Sequence, residues 1–212
     1  MNSLLYTVQN MNAKNREESL TLGILESIEE KSDVTQRHLA NQLGVALGLV
    51  NSYLKRCVRK GLIKIEQAPA NRYLYYLTPR GFAEKSRLTA EYLYVSFDFY
   101  RRASQSCSEV FEQCRHNHYQ RILLAGVSEL AEIASLRARE KGMNIIAIVD
   151  PQTKLNEFIG IPVWSNADKA IQVDACVITS LNSSMYLSDY MGKYIDKNRV
   201  FIPDILGIKY ES

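Results

Sequence analysis

Apolar residues near the start of the chain recur at the spacing expected of helices. Within residues 17–31, one helical face is apolar and acidic residues crowd the opposite face. The apolar positions of this helix are Leu20, Ile24, Leu25 and Ile28. Thr35 can cap a second helix, and Gly44 supplies the turn that ends it. The pattern therefore predicts two helices before the chain reaches Gly44.

A third helix and a strand pair are predicted next. The buried stripe of this helix is expected at Val50, Leu54 and Val58. Gly61 is expected to end the helix, and the following residues alternate, with Ile63 and Ile65 predicted to point inward. The segment YLYYLT then reads as a returning strand after a short turn. Three helices followed by a hairpin are the elements of a winged helix.

The segment after the hairpin predicts a long helix, with Thr78 as its cap and Pro79 at its first position. Its apolar positions are Leu88, Tyr92, Val95 and Phe99, and the pattern can be extended as far as Cys114. A long helix after a winged helix usually pairs with the same helix of a second copy. We therefore expect a homodimer, and the alternative is that the helix packs back against its own domain.

From Arg121 onward, short apolar strands alternate with amphipathic helices. The predicted strands are RILLAG, NIIAIVD, IPVW, ACVITSL and RVFIPD, and the predicted helices are SELAEIASLRAREKG, SNADKAIQV and SMYLSDYMGKYID. Strands that are apolar throughout are typical of a parallel sheet covered on both faces. The fold class is therefore a mainly α-helical winged helix-turn-helix domain (residues 1–80), a linker or dimerisation helix (81–120) and an α/β domain (121–212).

The positive charge of the chain is concentrated in the predicted winged helix. The formal net charge is +3, yet residues 35–72 contain seven basic residues and one acidic residue. Residues 111–212 contain 11 basic and 12 acidic residues. A basic surface confined to one segment predicts a polyanionic partner, and the helix-turn-helix around Gly44 favours double-stranded DNA.

The first turns of such a recognition helix lie in the major groove, so contacts can be assigned to individual residues. Asn51 is expected to pair with adenine and Leu47 to contact a thymine methyl group. The other candidates would contact phosphates, or the minor groove from the hairpin tip. The full set of expected DNA contacts is Thr35, Gln36, Arg37, Leu47, Asn51, Ser52, Lys55, Arg56, Arg59, Asn71 and Arg72. The alternative is a winged helix that contacts a protein and leaves its basic face to solvent.

Two segments of this region carry a family resemblance, LANQLGVALGLVNSYLKRCVRKGLIKI and YYLTPRGFAEKSRLTAEYL. Together they resemble the MarR-type winged-helix regulators found with bacterial exopolysaccharide genes, over about residues 17–102. The resemblance implies a bacterial, dimeric transcription regulator. Proteins of that type usually stop near the sequence FYRRA, so the second half of this chain is an addition that the resemblance does not explain.

The second half has a resemblance of its own. Residues 121–205 are similar to the small Rossmann-like modules that precede sugar-nucleotide epimerases and acyltransferases of polysaccharide synthesis, through RILLAG, IIAIVDP, GIPVW and ACVITS in that order. A winged helix followed by such a module also resembles the layout of the Rex repressors, which read NADH. These resemblances imply that residues 121–212 form a Rossmann-like domain that senses a small-molecule effector.

The loop after the first of these strands keeps one glycine of the dinucleotide-binding pattern G-x-G-x-x-G. Gly126 holds the first position, whereas Ser128 and Ala131 replace the second and third. Glu129 follows in the first helical turn and would repel a phosphate from the favourable end of the helix dipole. We therefore expect a cleft without tight pyrophosphate binding, formed by Gly126, Val127, Ser128, Asp150, Thr179, Ser180 and Asn182. The cofactor is unknown, with a nucleotide or nucleotide-sugar as candidates, and the alternative is a vestigial sheet kept for dimerisation or stability.

Other chemistry in the sequence is sparse. AGVSEL lacks the second glycine of a nucleophile elbow and no other catalytic set is found, so no enzyme is expected. CRHNH lacks the paired spacing of zinc modules, so no metal is expected. Scattered cysteines, no secretion signal and no membrane-length apolar run predict a cytoplasmic protein without a membrane partner. Two other functions stay open: a sugar-nucleotide-modifying enzyme with an appended winged helix, and an architectural DNA-binding dimer without ligand.

Overall fold

The computed structural model describes residues 13–69, 72–168 and 170–207. The chain divides into two compact units, Met1–Ser96 and Phe97–Ser212. The elements of the first unit are α1 (Ala13–Glu30), α2 (Gln36–Leu43), α3 (Leu47–Arg59), β1 (Ile63–Ala68) and β2 (Arg72–Leu77). The helix α4 (Pro79–His116) begins in the first unit and ends in the second. The predicted order of three helices, a hairpin and a long helix is confirmed.

One apolar core holds the first unit together, and all four of its helices contribute to it. Its buried residues are Leu22, Ile24, Leu25, Ile28, Val34, Leu39, Ala40, Val50, Leu54, Cys57, Leu62, Ile63, Tyr75 and Leu88. The last position of the α3 stripe differs from the prediction, because Cys57 is buried whereas Val58 is only half-buried. Residues 50, 54 and 57 follow the 3.6-residue helical repeat more closely than 50, 54 and 58 do.

The strands β1 and β2 form an antiparallel hairpin, paired from Ile63 opposite Leu77 to Ala68 opposite Arg72. Ile63 is buried at the base of the hairpin, but the prediction that Ile65 points inward is wrong, because this side chain is 41% exposed. Ile65 lies on the same face of the pleat as Ile63 and opposite Tyr75, which is buried, so at this register the core covers β2 and leaves β1 exposed. The hairpin is therefore a wing that is held to the unit through β2, where the Tyr75 N–H donates to the Ser32 carbonyl at 2.8 Å.

The second unit is built on a six-stranded sheet. Its elements after α4 are β3 (Arg121–Ala125), α5 (Glu129–Glu140), β4 (Asn144–Val149), β5 (Glu157–Phe158), β6 (Ile161–Trp164), β7 (Ala175–Ile178), α6 (Ser184–Met191) and β8 (Val200–Phe201). The strand order is β5-β6-β4-β3-β7-β8, and every neighbouring pair is parallel except β5 with β6. The unit is thus an α/β domain with a mixed, largely parallel sheet.

Both faces of this sheet are covered, as the apolar strands predict. On one face, Ile122 and Leu124 pack with residues of α5 and of the last turns of α4, Phe111 among them. On the other face, Leu123 and Cys176 pack with residues of α6 and of the segment before β7. Alternate residues of one strand point to opposite faces, which is why β3 must be apolar at every position from residue 122 onward.

Three details of the second unit were not predicted correctly. Residues 170–172 form a single 3₁₀ turn where a short helix was expected, and β8 contains two residues rather than six. The strand β5 was not expected at all; it pairs with β6 across a turn in which Gly160 has a φ of 78°. Among the described residues, no helix combines the length and apolar character needed to cross a membrane.

The helix α4 carries large apolar side chains that are exposed in the part belonging to each unit. In the first unit Leu93, Tyr94 and Val95 are exposed, with 70% of Tyr94 accessible. In the second unit the same is true of Phe97 and of two following aromatic residues, Phe99 and Tyr100. Only the earlier part of the predicted stripe, at Leu88, is buried within the first unit.

Candidate functional site

The helices α2 and α3 are joined by a short turn of defined geometry. The Thr35 hydroxyl accepts a hydrogen bond from the His38 N–H at 3.1 Å and so caps α2, as predicted. Gly44 ends α2 with a φ of 62°, in the left-handed region that favours glycine. The N–H of Val45 then donates to the Ala40 carbonyl at 3.0 Å. This turn fixes α3 against α2 and leaves the outer face of α3 free.

The outer face of α3 is polar and basic. Ser52, Lys55 and Arg59 are all exposed, and their spacing of three and four residues places them on one side of the helix. Leu47, in the first turn, is 43% exposed. A face of this kind can donate to phosphates and present an apolar group to base edges.

Arg56 shares this face by its spacing from Ser52 and Arg59, as predicted, but it is engaged within the fold. It is half-buried, and its guanidinium lies 2.5 Å from the Glu17 carboxylate of α1. The acidic face of α1 was recognised in the sequence, but the spacing along the chain gave no sign of which cation it would pair with. An Arg56 held in this ion pair is less available to a phosphate than Lys55 or Arg59.

Asn51 is oriented in an unexpected way. Its Oδ1 is buried and has no hydrogen-bond partner among the described residues. A bidentate contact with adenine uses both the amide nitrogen and the amide oxygen. In this orientation the Asn51 oxygen is not available to a base, so adenine pairing requires the side chain to rotate.

The remaining predicted DNA contacts lie near α2 and the wing. Arg37 is exposed in the first turn of α2, whereas Gln36 is half-buried and its side-chain nitrogen donates to the Tyr75 hydroxyl at 3.3 Å. Arg72 is exposed where β2 begins, beside the hairpin turn. Asn71 lies outside the described residues. Gln36 therefore braces α2 against the wing, while the two arginines extend the basic surface.

In the second unit, the loops after β3 and β7 meet at the carboxyl edge of the sheet. Gly126 has a φ of 105°, and a Cβ at this position would lie 2.5 Å from the Cβ of Ser180. The Ser128 hydroxyl donates to the Thr179 carbonyl at 2.5 Å, and the buried Thr179 hydroxyl donates to the Gly126 carbonyl at 2.6 Å. The two loops are thus packed against each other and joined by hydrogen bonds.

The groups of this loop that could donate hydrogen bonds to a phosphate already donate to acceptors of the protein itself. The Val127 N–H donates to the Asp150 carboxylate at 2.9 Å. Ser128 caps α5 by accepting from the N–H groups of Leu130 and Ala131. The other carboxylate oxygen of Asp150 accepts from the Gln152 N–H at 2.9 Å. Asn182, the last of the predicted ligand contacts, is exposed.

The cysteines and histidines do not form a second site. Among the described residues, no group of three or more His, Cys, Asp or Glu side chains is arranged to hold a metal ion. All four cysteines are buried as free thiols. Burial raises the pKa of Cys57 to about 11, despite the nearby charges of Lys60 and Arg56, so this thiol is protonated at neutral pH.

The comparisons with known proteins bear on the first unit. Residues 18–64 match the family described as winged helix-turn-helix DNA-binding. That range contains α2 and α3 and ends in β1, so the N-terminal unit has a winged helix-turn-helix of the DNA-binding type. Comparison with curated proteins gave no match.

Several solved structures are similar to parts of this chain. The PcaV transcriptional regulator of Streptomyces coelicolor is 21% identical, over 48% of this chain and 87% of its own, with a TM-score of 0.33. MepR, a transcription regulator of the Staphylococcus aureus multidrug efflux pump MepA, is 22% identical, over 54% of this chain and 84% of its own, with a TM-score of 0.37. TrmBL2, an archaeal chromatin protein, is 10% identical, over 95% of this chain and 76% of its own, with a TM-score of 0.26. Likeness at these scores carries no argument about function.

Proposed function

We propose that this protein is a sequence-specific DNA-binding transcription regulator and not an enzyme. The observation that carries the proposal is the outer face of α3, where Ser52, Lys55 and Arg59 are exposed together within a winged helix-turn-helix. A helix presented in this way fits the major groove, with its first turn toward the bases and its later cations toward phosphates. Because residues 17–102 resemble regulators of exopolysaccharide genes, we propose that the protein acts in the cytoplasm and that such genes are its first candidate targets.

The proposed DNA complex contains a homodimer. Support comes from the apolar side chains that α4 leaves exposed, among them Leu93, Tyr94 and Phe97. Contiguous exposed apolar groups favour association with another protein surface, and the same helix of a second copy would cover them symmetrically. A dimer of winged helices would read two half-sites related by a two-fold axis.

We further propose that the second unit is a Rossmann-like effector domain. The strands β6-β4-β3-β7-β8 stand in the order 3-2-1-4-5 of dinucleotide-binding sheets, and such sheets hold ligands where the order reverses, here between β3 and β7. A nucleotide or nucleotide-sugar entering there would have to displace Asp150 from the Val127 N–H. The closed crevice therefore also favours a second candidate, an architectural DNA-binding dimer in which the sheet binds no ligand.

Salt dependence tests the DNA proposal directly. Each phosphate contact lowers the slope of log K against log salt by about 0.9, so Lys55→Ala with Arg59→Ala should reduce the magnitude of the slope by about 2. Fluorescence anisotropy with a duplex selected from a random library by the wild-type protein measures this. The control is Lys31→Ala with Lys154→Ala, which removes the same charge from exposed positions elsewhere. An unchanged slope in the α3 variant would reject the proposed interface.

The effector proposal has a separate test. A nucleotide or nucleotide-sugar that binds the second unit should raise its melting temperature in a concentration-dependent way. Asp150→Ala frees the Val127 N–H and should strengthen binding of a phosphate-bearing ligand. If no compound of such a panel raises the melting temperature of either the wild type or this variant, the architectural DNA-binding dimer without ligand is the better hypothesis.

A further inference from the structure

Gly48, which was not among the predicted DNA contacts, lies in the first turn of α3 although alanine would form a more stable helix there. The other helical glycines have a reason within the fold. A Cβ on Gly23 would lie 2.6 Å from Leu43 Cδ2, and one on Gly81 would lie 2.1 Å from the Leu62 carbonyl oxygen. Alanine would collide with backbone at Gly81, and at Gly23 it would require the Leu43 side chain to shift.

No such reason exists at Gly48. A Cβ built there has no atom of the described residues within 4 Å, and the backbone is not in the left-handed region that favours glycine. The position is also exposed. The fold therefore leaves room for alanine at Gly48, so the bare backbone at this exposed position is open to a partner outside the chain.

The position of Gly48 indicates what approaches it. Counting along α3, residues 48, 52, 55 and 59 fall on one face, and Gly48 begins the face formed by Ser52, Lys55 and Arg59. Leu47 beside it is a large apolar side chain left 43% exposed. A bare stretch of backbone next to an exposed leucine suits the close approach of base edges carrying a methyl group.

Resting on the proposed DNA-binding function, we propose that Gly48 determines sequence specificity. The missing side chain lets the first turn of α3 sit against the base pairs, and at that depth Leu47 contacts the methyl group of a thymine. A Cβ at position 48 holds the helix away from the groove floor. The contacts of Lys55 and Arg59 to phosphates are less affected, because long flexible side chains can still reach the backbone.

The test compares two duplexes, one selected from a random library by the wild-type protein and one with the same composition scrambled. Gly48→Ala should bind the selected duplex at least tenfold more weakly and the scrambled duplex within twofold of the wild type. Its melting temperature should equal or exceed that of the wild type, which excludes misfolding as the cause. Affinity for the selected duplex within twofold of the wild type, or equal loss on both duplexes, would overturn the role of Gly48.

The thymine contact has its own readout. Replacing the contacted thymine by deoxyuridine removes only the methyl group and should weaken the wild type by about fourfold, the equivalent of one buried methyl. The same replacement should leave Leu47→Ala unaffected, since that variant has already lost its side of the contact. If no thymine responds in this way, Leu47 does not read a methyl group. If the wild type enriches no sequence from the library, the proposed function itself fails.

Discussion

Asn51 has a buried polar atom, and this leads to a prediction that separates stability from binding. Its buried oxygen makes no hydrogen bond among the described residues, and an unsatisfied buried acceptor costs about 1–3 kcal/mol. We therefore predict that Asn51→Ala keeps or slightly raises the free energy of unfolding in urea. Because the amide is expected to contact a base, the same variant should bind the selected duplex about tenfold more weakly.

For this interpretation to hold, DNA affinity must fall while the free energy of unfolding does not. Ser52→Ala is the control for the stability measurement alone, since it removes a polar group from an exposed neighbouring position where no buried acceptor is involved. A clear loss of stability in Asn51→Ala would mean that the oxygen has a partner in solution. In that case its role would be structural.

At the scale of elements, the sequence predicted helices more reliably than details of the sheet. Leu39 in α2 and Val50 in α3 each belong to the apolar face of their helix. Both are buried, since an amphipathic helix must place its apolar face against a core. Ile65 follows an equally clear strand pattern and is exposed while Tyr75 opposite it is buried, because alternation defines a face but not which strand of a pair the core covers. Residue pattern alone could not predict this.

The candidate site shows the same limit. The exposed cations of α3 could be predicted because helical spacing determines which residues share a face. Two contacts of the site could not be predicted. One is the ion pair of Arg56 with Glu17, and the other is the hydrogen bond between Ser128 and Thr179, which are 51 residues apart in the sequence. Contacts of this kind depend on the packing of whole elements, which a local pattern does not specify.

The start of β3 is held to the start of β7 by one carboxylate, and this gives a prediction about pH. Asp174 accepts from the N–H groups of Gln120 and Arg121 at 2.8 and 2.7 Å, and these hydrogen bonds hold its pKa below the ordinary value of 3.8. Asp174→Asn should lower the free energy of unfolding by about 1 kcal/mol at pH 7, since an amide accepts more weakly than a carboxylate.

The sign of the pH effect follows from the depressed pKa in the folded state. The stabilising contribution of the carboxylate is complete above the unfolded-state pKa and is lost as the pH falls through the folded-state pKa. Urea unfolding of the two proteins should therefore differ at pH 6, and the difference should begin to shrink only below the ordinary pKa of 3.8 and vanish below the folded-state pKa. A difference that persists unchanged in acid would show that Asp174 acts through something other than its charge.

At the scale of the whole molecule, the exposed apolar side chains of α4 lead to a prediction about the proposed homodimer. Leu93 and Phe97 are 45% and 59% exposed, one helical turn apart on the same side of α4. If that side forms the interface between copies, Leu93→Glu with Phe97→Glu places charges in an apolar contact and should leave a monomer. Light scattering after size exclusion measures the mass, and Leu155→Glu, at a residue that is 51% exposed in a loop, is the control.

The monomer also has a predicted DNA phenotype. Half-sites one helical turn apart lie about 34–36 Å from centre to centre, so a dimer gains from holding two recognition helices at that separation. The monomeric variant should lose most of its affinity for a two-fold symmetric duplex while binding a single half-site as the wild type does, because its α3 is unchanged. A variant that stays dimeric would place the interface elsewhere, and a monomer with undiminished affinity for the symmetric duplex would show that each copy reads DNA alone.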